Sequence, residues 1–359
     1  MREKRQEEAI RAFLNTDKKS IVNACPRFGK IRVALGIMNE LNINHVWIIA
    51  PRVDIFKGWD DEIAIFGGPS VIGQTTFASI KKLRHDSPQP QMIIIDEPHE
   101  LSIPQQVALR SFVDKYPTLG LTGTMTQKTR NELYNNLNLD VCYKYDINQG
   151  VEEGILVDYQ MFVHTVGLDN KRGIHASKKG FLTEKEKFKR IHYVYENGKG
   201  NEKFFTQLKL INLIQNSLAK MERTRKLIKE YSPERLLVFC GTTETADQLD
   251  IPVYHSKAKE KEVFLNFCAA KNGVDQLATI KMMQAGVTIN PINKGIINYM
   301  SGNPEDCAQK ICRFLGFEYD NPDKKAEIHI VSTTEPFELM RLRTGLAFFD
   351  DSKITYLKL

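Results

Sequence analysis

Two short stretches carry residue types suited to phosphate chemistry. In IVNACPRFGKI, residues 21–31, Gly29 and Lys30 follow an apolar run and precede the helical pattern RVALGIMNEL. A turn entering a helix offers backbone N–H groups to an anion, and a lysine ammonium there reaches β and γ phosphates. The usual pattern is GxxxxGK(S/T). Here Ala24 stands at the first glycine, and Ile31 stands where a hydroxyl would ligate magnesium. In MIIIDEPHE, residues 92–100, an apolar run leads into Asp96 and Glu97 side by side. Asp96 is suited to holding hydrated magnesium, and Glu97 to orienting and deprotonating a water for phosphoryl transfer. His99 then lies near the γ phosphate and couples it to the next strand. Taken singly, each stretch has a plain structural alternative, a strand-to-helix turn for the first and an exposed turn containing Pro98 for the second.

Such residues need a sheet to hold them. Residues 1–150 alternate short apolar runs with longer amphipathic stretches, the pattern of a mostly parallel sheet covered by helices. Strands are expected at Ser20 to Ala24, Val46 to Ala50, Met92 to Asp96 and Leu119 to Thr122. Both candidate stretches then fall at carboxyl ends of strands, where parallel sheets place their ligands. Residues 151–359 repeat the pattern, with strands at Tyr159 to Val166, Leu236 to Phe239, Gln276 to Ile280, Gly295 to Ile297 and Ile328 to Val331. Between the first two of these, residues 171–230 lack strand rhythm and read as a helical insertion from about Thr183, broken at Gly198 and Gly200.

A length of 359 residues fits two domains, and 42% hydrophobic with 26% charged residues fits a globular chain. No apolar run approaches the roughly 18 residues of a membrane span. The start MREKRQEEAI has no apolar stretch behind its charges, so no secretory signal is read and a cytoplasmic location, in a bacterium or a phage-infected host, is expected. Six cysteines without a CxxC pair argue against a disulfide framework or a zinc ribbon and read as buried free thiols. The net charge of +6 is modest, but residues 171–230 hold 16 Lys or Arg against 6 Asp or Glu, an excess of ten, which leaves the remainder at −4. That asymmetry suits a polyanion contact; the alternative is a solvated helix face. The same segment contains Phe181, Phe188, Tyr193, Tyr195, Phe204 and Phe205, which either stack on bases or bury against the domain beneath.

Further elements follow in order: Gln6 in RQEEAIRAF, IIAPRVDIFKGWDDEI from Ile48, TTFASI from Thr75, LTGTM from Leu121, VEEGILVDYQ, LLVFCGTTETADQL, VYHSK, ATIKMMQAGVTINPINKGII and AQKICRFLG. With these the chain resembles a superfamily 2 DExH-box helicase or translocase over almost its whole length. The resemblance implies two tandem RecA-like domains, residues 1–150 and 151–359, which use ATP and magnesium. It assigns the adenine edge to Gln6, the phosphates to Lys30, magnesium to Asp96 and the attacking water to Glu97. Arg27, Phe28, Gly29, Ile31, His99, Gly286 and Lys310 complete the nucleotide contacts, with Gln309 and Arg313 reaching across the cleft and Arg313 acting as the arginine finger. Thr122 and Thr124 link nucleotide to nucleic acid, and Arg52, Thr75 and Thr76 contact its backbone; Lys178, Lys179, Lys187, Lys189 and Arg190 add the basic insertion. The motif style is similar to that of double-stranded DNA translocases, including type III restriction motor subunits and phage helicases that remodel branched DNA, although RNA helicases share much of the same motif order. Lys310, Cys312 and Gly316 depart from the family pattern, as do Ala24 and Ile31. Two readings therefore stand: a DNA motor with little sequence specificity, or a degenerate helicase core serving as a nucleic-acid or protein adaptor with little ATP turnover.

Overall fold

Runs such as IVNA, VWIIA and MIIID are apolar at successive positions, so as strands they are buried on both faces and need helices on each side. A computed structural model describes residues 1–83, 88–173, 175–177, 180–255, 261–280, 292, 294–317 and 323–358. The chain divides into two units, Met1–Leu156 and a second beginning at Val157.

The first unit runs α1 (Arg2–Leu14), β1 (Lys19–Ala24), α2 (Lys30–Glu40), β2 (His45–Ala50), α3 (Asp54–Phe66), β3 (Ser70–Thr76), β4 (Met92–Asp96), α4 (Ile103–Lys115), β5 (Thr118–Thr122), α5 (Gln127–Leu137), β6 (Asp140–Tyr145) and α6 (Ile147–Glu152). Its strands form one parallel sheet in the order β3-β2-β4-β5-β1-β6. Ile93 and Ile95 of β4 join Trp47, Ile49, Phe112 and Leu133 in one core cluster, while α2 buries Val33, Ala34, Ile37 and Met38. The four strands expected from sequence are the buried ones, β1, β2, β4 and β5. Both edge strands, β3 and β6, escape a search for apolar runs because most of their residues are only half-buried.

The second unit runs β7 (Asp158–Val166), β8 (His175–Ser177), β9 (Gly180–Leu182), α7 (Glu184–Asn197), α8 (Gly200–Gln215), α9 (Leu218–Glu230), β10 (Leu236–Phe239), α10 (Thr243–Asp247), β11 (Val253–Tyr254), α11 (Lys261–Ala269), β12 (Gln276–Thr279), β13 (Lys294–Ile297), α12 (Pro304–Ile311), β14 (Lys325–Thr333), α13 (Pro336–Gly345) and β15 (Ile354–Lys358). Seven strands form a parallel sheet in the order β11-β12-β10-β13-β14-β7-β15, and β8 and β9 form a separate antiparallel pair.

The insertion differs from the sequence expectation at both ends. It opens with the β8–β9 hairpin, and α7 then starts at a capping box in which Thr183 accepts from the Glu186 N–H and Glu186 returns the bond. Its last helix, α9, covers the sheet against β14 and β7, with Met221, Leu227 and Ile228 buried. Lys220 on α9 is fully buried and ion-paired to Glu338, so this lysine belongs to the body of the unit, whereas Lys226 and Lys229 of the same helix are exposed. The part outside the sheet layers, residues 171–217, keeps 11 Lys or Arg against 4 Asp or Glu. All six cysteines are free thiols, and Cys142 alone is half-buried. Among the described residues no helix is long and apolar enough to cross a membrane.

Phe314 fixes the segment that follows α12. Its ring is fully buried over Gly295 of β13 and meets Phe239 edge-on at 6.0 Å. A Cβ at Gly295 would overlap that ring, with Cε2 only 2.6 Å away. Gly295→Ala is expected to destabilise the protein by about 1–3 kcal/mol, because the ring has no free volume to enter; urea denaturation of the two proteins measures it.

Candidate nucleotide site

β1 ends at Ala24, whose partner on β6 is Tyr145, and the chain then turns through Cys25 to Gly29 before α2 begins. The conventional first glycine of a phosphate loop thus falls on ordinary strand backbone, where alanine fits. The left-handed conformations belong to Arg27 (φ 66°) and Gly29 (φ 88°). Gly29 is needed for a second reason: Gln6 of α1 docks on the loop, its Nε2 donating to the Phe28 carbonyl at 2.7 Å, and a Cβ on residue 29 would overlap that amide. Phe28 is buried beside Tyr145 and Tyr143, with ring centroids 5.1 and 6.1 Å away. No side chain caps α2, so the N–H groups of its first turn face the loop as anion donors.

β4 delivers the carboxylates. Asp96 is buried at its end, and one oxygen, Oδ2, accepts a 3.0 Å hydrogen bond from the indole Nε1 of Trp59 on α3. Glu97 follows in left-handed backbone (φ 52°), pinned by its N–H to the Leu121 carbonyl at 2.7 Å. Its Oε1 lies 3.9 Å from Lys30 Nζ, and its Oε2 accepts from the Gly123 N–H at 3.3 Å. His99 Nδ1 lies 3.3 Å from the same Oε2 and 2.8 Å from Thr122 Oγ1. The Thr122 hydroxyl also donates to the Thr124 carbonyl at 3.1 Å, so Glu97, His99 and Thr122 form one connected network.

The two carboxylates are driven apart electrostatically. Burial, then the neighbouring charge of Glu97, pushes Asp96 up to about 6 against the opposing bond from Trp59. Burial also opposes ionisation of Glu97, but Lys30 and His99 outweigh it and hold the group down at about 2. Neighbouring acids separated in this way are suited to different roles.

The other candidate residues are distributed as follows. Arg52, just past β2, and Thr75 and Thr76 at the end of β3 share the carboxyl edge of this sheet, since Ala50 pairs with Thr76. A cleft of about 410 Å³ there is lined by Val53, Phe56, Gln74, Thr75, Thr76 and Ser79. Thr122 is fully buried, with its hydroxyl 2.8 Å from His99 Nδ1. In the second unit Gln309 lies in the last turn of α12 and Arg313 just past its C-cap Cys312, and Lys310 pairs with Asp306 at 2.9 Å. Lys187, Lys189 and Arg190 lie on α7, with Lys189 and Arg190 exposed. Gly286, Lys178 and Lys179 lie outside the described residues. The aromatics of the insertion divide between their two alternatives: Phe188 is buried with Leu210 and Phe337, and Tyr195 meets Phe337 edge-on, whereas Phe181, Tyr193, Phe204 and Phe205 are exposed. Trp59 was given no role from sequence. The available signal was a tryptophan on the buried face of α3, since a buried indole N–H needs an acceptor.

A phosphate loop and a carboxylate pair at the edge of a parallel sheet, with a second parallel sheet following in the same chain, define a tandem RecA-like protein. Comparison with known proteins carries this further. No protein-family model matches the chain. The DNA 3'-5' translocase XPB2 of Sulfurisphaera tokodaii is 24% identical over 375 positions, covering 94% of this chain and 83% of that protein. Among solved structures, S. cerevisiae Dbp5 bound to RNA and ADP BeF3 superposes with a TM-score of 0.64 at 12% identity, covering 99% of this chain and 89% of that one. A fragment of an HsdR subunit of a type I restriction enzyme from Vibrio vulnificus YJ016 gives 0.63 at 16% identity, covering 99% and 68%. These likenesses are to helicase- and translocase-type proteins, and the solved structures share the tandem RecA-like fold with this chain.

Asp96→Asn is expected to stabilise the nucleotide-free protein by up to about 2 kcal/mol at pH 8. A buried acid whose folded-state value is raised costs stability when ionised and nothing once it is protonated in both states. The gain should shrink as the pH falls through about 6 and vanish near the ordinary aspartate value of about 4, read as denaturation midpoints of both proteins across that range.

Proposed function

We propose that this chain is an ATP hydrolase that couples turnover to movement along, or remodelling of, duplex or branched DNA with little sequence specificity. The observation that carries the proposal is the joining of Lys30, Glu97, His99 and Thr122 in one network at the carboxyl edge of the first sheet. The likeness to a DNA translocase over 94% of the chain supports the choice of DNA.

The residues fit both ATP and magnesium. A Cβ at Gly123 would come within 3.4 Å of Lys30 Nζ and 3.5 Å of Pro26 Cγ, so the missing side chain keeps space open beside the ammonium. Magnesium retains several waters and takes one or two carboxylates together with phosphate oxygens, a donor set that Asp96 meets without a hydroxyl at position 31. When bound it neutralises charge on the β and γ oxygens.

In this mechanism Lys30 exchanges Glu97 for a phosphate. Glu97 then loses the positive charge that suppresses its basicity and can accept a proton from the water it orients. Gln6 keeps its amide oxygen for the adenine amino group, because its Nε2 is already given to Phe28. Arg27, Phe28, Gly29 and Ile31 shape the loop that would hold the phosphates. The adaptor reading stays in view because Ile31 removes the usual metal hydroxyl.

DNA-stimulated ATP hydrolysis and nucleotide binding by the parent, Lys30→Ala and Glu97→Gln test the mechanism. Lys30→Ala should lose ATP binding, and Glu97→Gln should bind ATP while turning over at least about a hundredfold more slowly. Glu97→Gln hydrolysing like the parent would sink the assignment of the base, and a parent that binds ATP without hydrolysing it would establish the adaptor reading.

For nucleic acid, DNA affinity should fall with salt at a logarithmic slope near −0.9 for each duplex phosphate neutralised. Replacing Lys178, Lys179, Lys187, Lys189 and Arg190 by neutral residues should flatten that slope and weaken binding to all sequences alike, with hydrolysis in the absence of DNA preserved. Fluorescence anisotropy across a salt series measures this, and an unchanged slope makes the insertion a solvated or protein-docking surface.

A further inference from the structure

Asp96 has an unusual partner. Trp59 is fully buried on α3, on the same face as Ile55 and Phe56, and its single polar atom donates to Asp96 Oδ2 at 3.0 Å. A buried indole is satisfied by any carbonyl or hydroxyl acceptor. Giving it a carboxylate oxygen makes the bond charge-assisted and fixes the plane of that carboxylate. The hydroxyl that would ordinarily share the metal is missing, because position 31 is isoleucine. Asp96 is then the protein group on which the cation depends, and its orientation has no second ligand to correct it.

We propose that Trp59 is a positioning residue for the metal-binding carboxylate, compensating for the hydroxyl absent at Ile31. This rests on the nucleotide-site reading given above. Trp59 acts through Asp96 and touches neither nucleotide nor cation. Packing alone would be satisfied by another large apolar ring at position 59, whereas positioning requires the N–H. Partners of metal ligands in this second tier change metal affinity by about 10- to 100-fold when removed.

The chain has two tryptophans, and Trp47 sits in β2 with its ring 5.8 Å from Phe112. Trp47→Phe therefore leaves Trp59 as the only indole. In that protein Trp59 emission should change when Mn2+ or Mg2+ is added in the presence of ADP, and Asp96→Asn added to the same background should abolish the change. In the otherwise natural chain, Trp59→Phe should weaken Mn2+ binding with ADP, followed by electron paramagnetic resonance, roughly tenfold, while affinity for metal-free ADP stays within about twofold. A folded Trp59→Phe protein with Mn2+ affinity within about twofold of the parent, or a Trp59 emission indifferent to the cation, overturns the inference. If Trp59→Phe does not fold, the emission measurement, which retains the residue, decides alone. A parent that binds no nucleotide at all overturns the proposed function instead, so the two failures are read separately.

Discussion

Two acids leaving the same strand consecutively, one buried and the other half-buried, cannot both ionise easily unless something separates them and supplies a counter-charge. In the first unit the separation is made by the backbone: Asp96 ends β4 in extended conformation, and Glu97 turns into the left-handed region at φ 52°. Such a conformation costs a non-glycine residue about 1–3 kcal/mol and persists only where its surroundings over-determine it. Here they do, through the Glu97 N–H on Leu121, the Gly123 N–H on its carboxylate, and Lys30 opposite. The turn aims one acid at a lysine and a histidine and leaves the other against an indole. Arg27 and Gly29 place two more left-handed residues in the loop that carries Lys30.

This arrangement explains which parts of the molecule were legible in the sequence. Strands buried on both faces have to be apolar at successive positions, and β1, β2, β4 and β5 announced themselves that way together with the residues at their carboxyl ends. Edge strands carry no such obligation. QTT in β3 and YKY in β6 are compatible with either loop or strand, and tertiary pairing alone decides between them. The pairing of Trp59 with Asp96 was hidden for a different reason: it joins residues 37 positions apart, and no local pattern encodes which acceptor a buried indole will find. The His99, Thr122 and Glu97 network is half legible, since the sequence suggests that His99 couples to the next strand but not that Thr122 and Glu97 meet the same ring nitrogen.

The second unit shows how a charge count misleads when it ignores burial. Lys220 and Arg223 were counted with the basic insertion, yet Lys220 is sealed against Glu338, and Arg223 donates from Nη2 to His164 beneath α9. These are internal ion-pair and hydrogen-bond partners, and their charges make no field for a polyanion. What remains for such a field is α7, α8, the strand pair before them, and the exposed Lys226 and Lys229 of α9. There Phe188 anchors the helices into a core of Leu210, Leu213, Ile214 and Phe337, and this anchoring keeps Phe204 and Phe205 on an exposed surface. Buried and exposed aromatics in this segment therefore serve one construction, some fixing the helices and others displayed by them.

The free nucleotide site is an expensive arrangement in its own right. Asp96 is held in a form whose ionisation is opposed by burial and by Glu97, and Glu97 keeps its charge only because Lys30 and His99 neutralise it. A triphosphate with its cation reverses both conditions, since a cation favours the ionised form of Asp96 and a phosphate competes for Lys30. Loading under the proposed mechanism would lift this penalty, and the loss of Lys30 as a partner would raise the basicity of Glu97 once a phosphate occupies the site. In the proposed mechanism the same lysine that binds the nucleotide restrains the base in its absence, so the activation of water is tied to occupancy by direct electrostatics within one sheet edge, before any movement of the second unit is invoked.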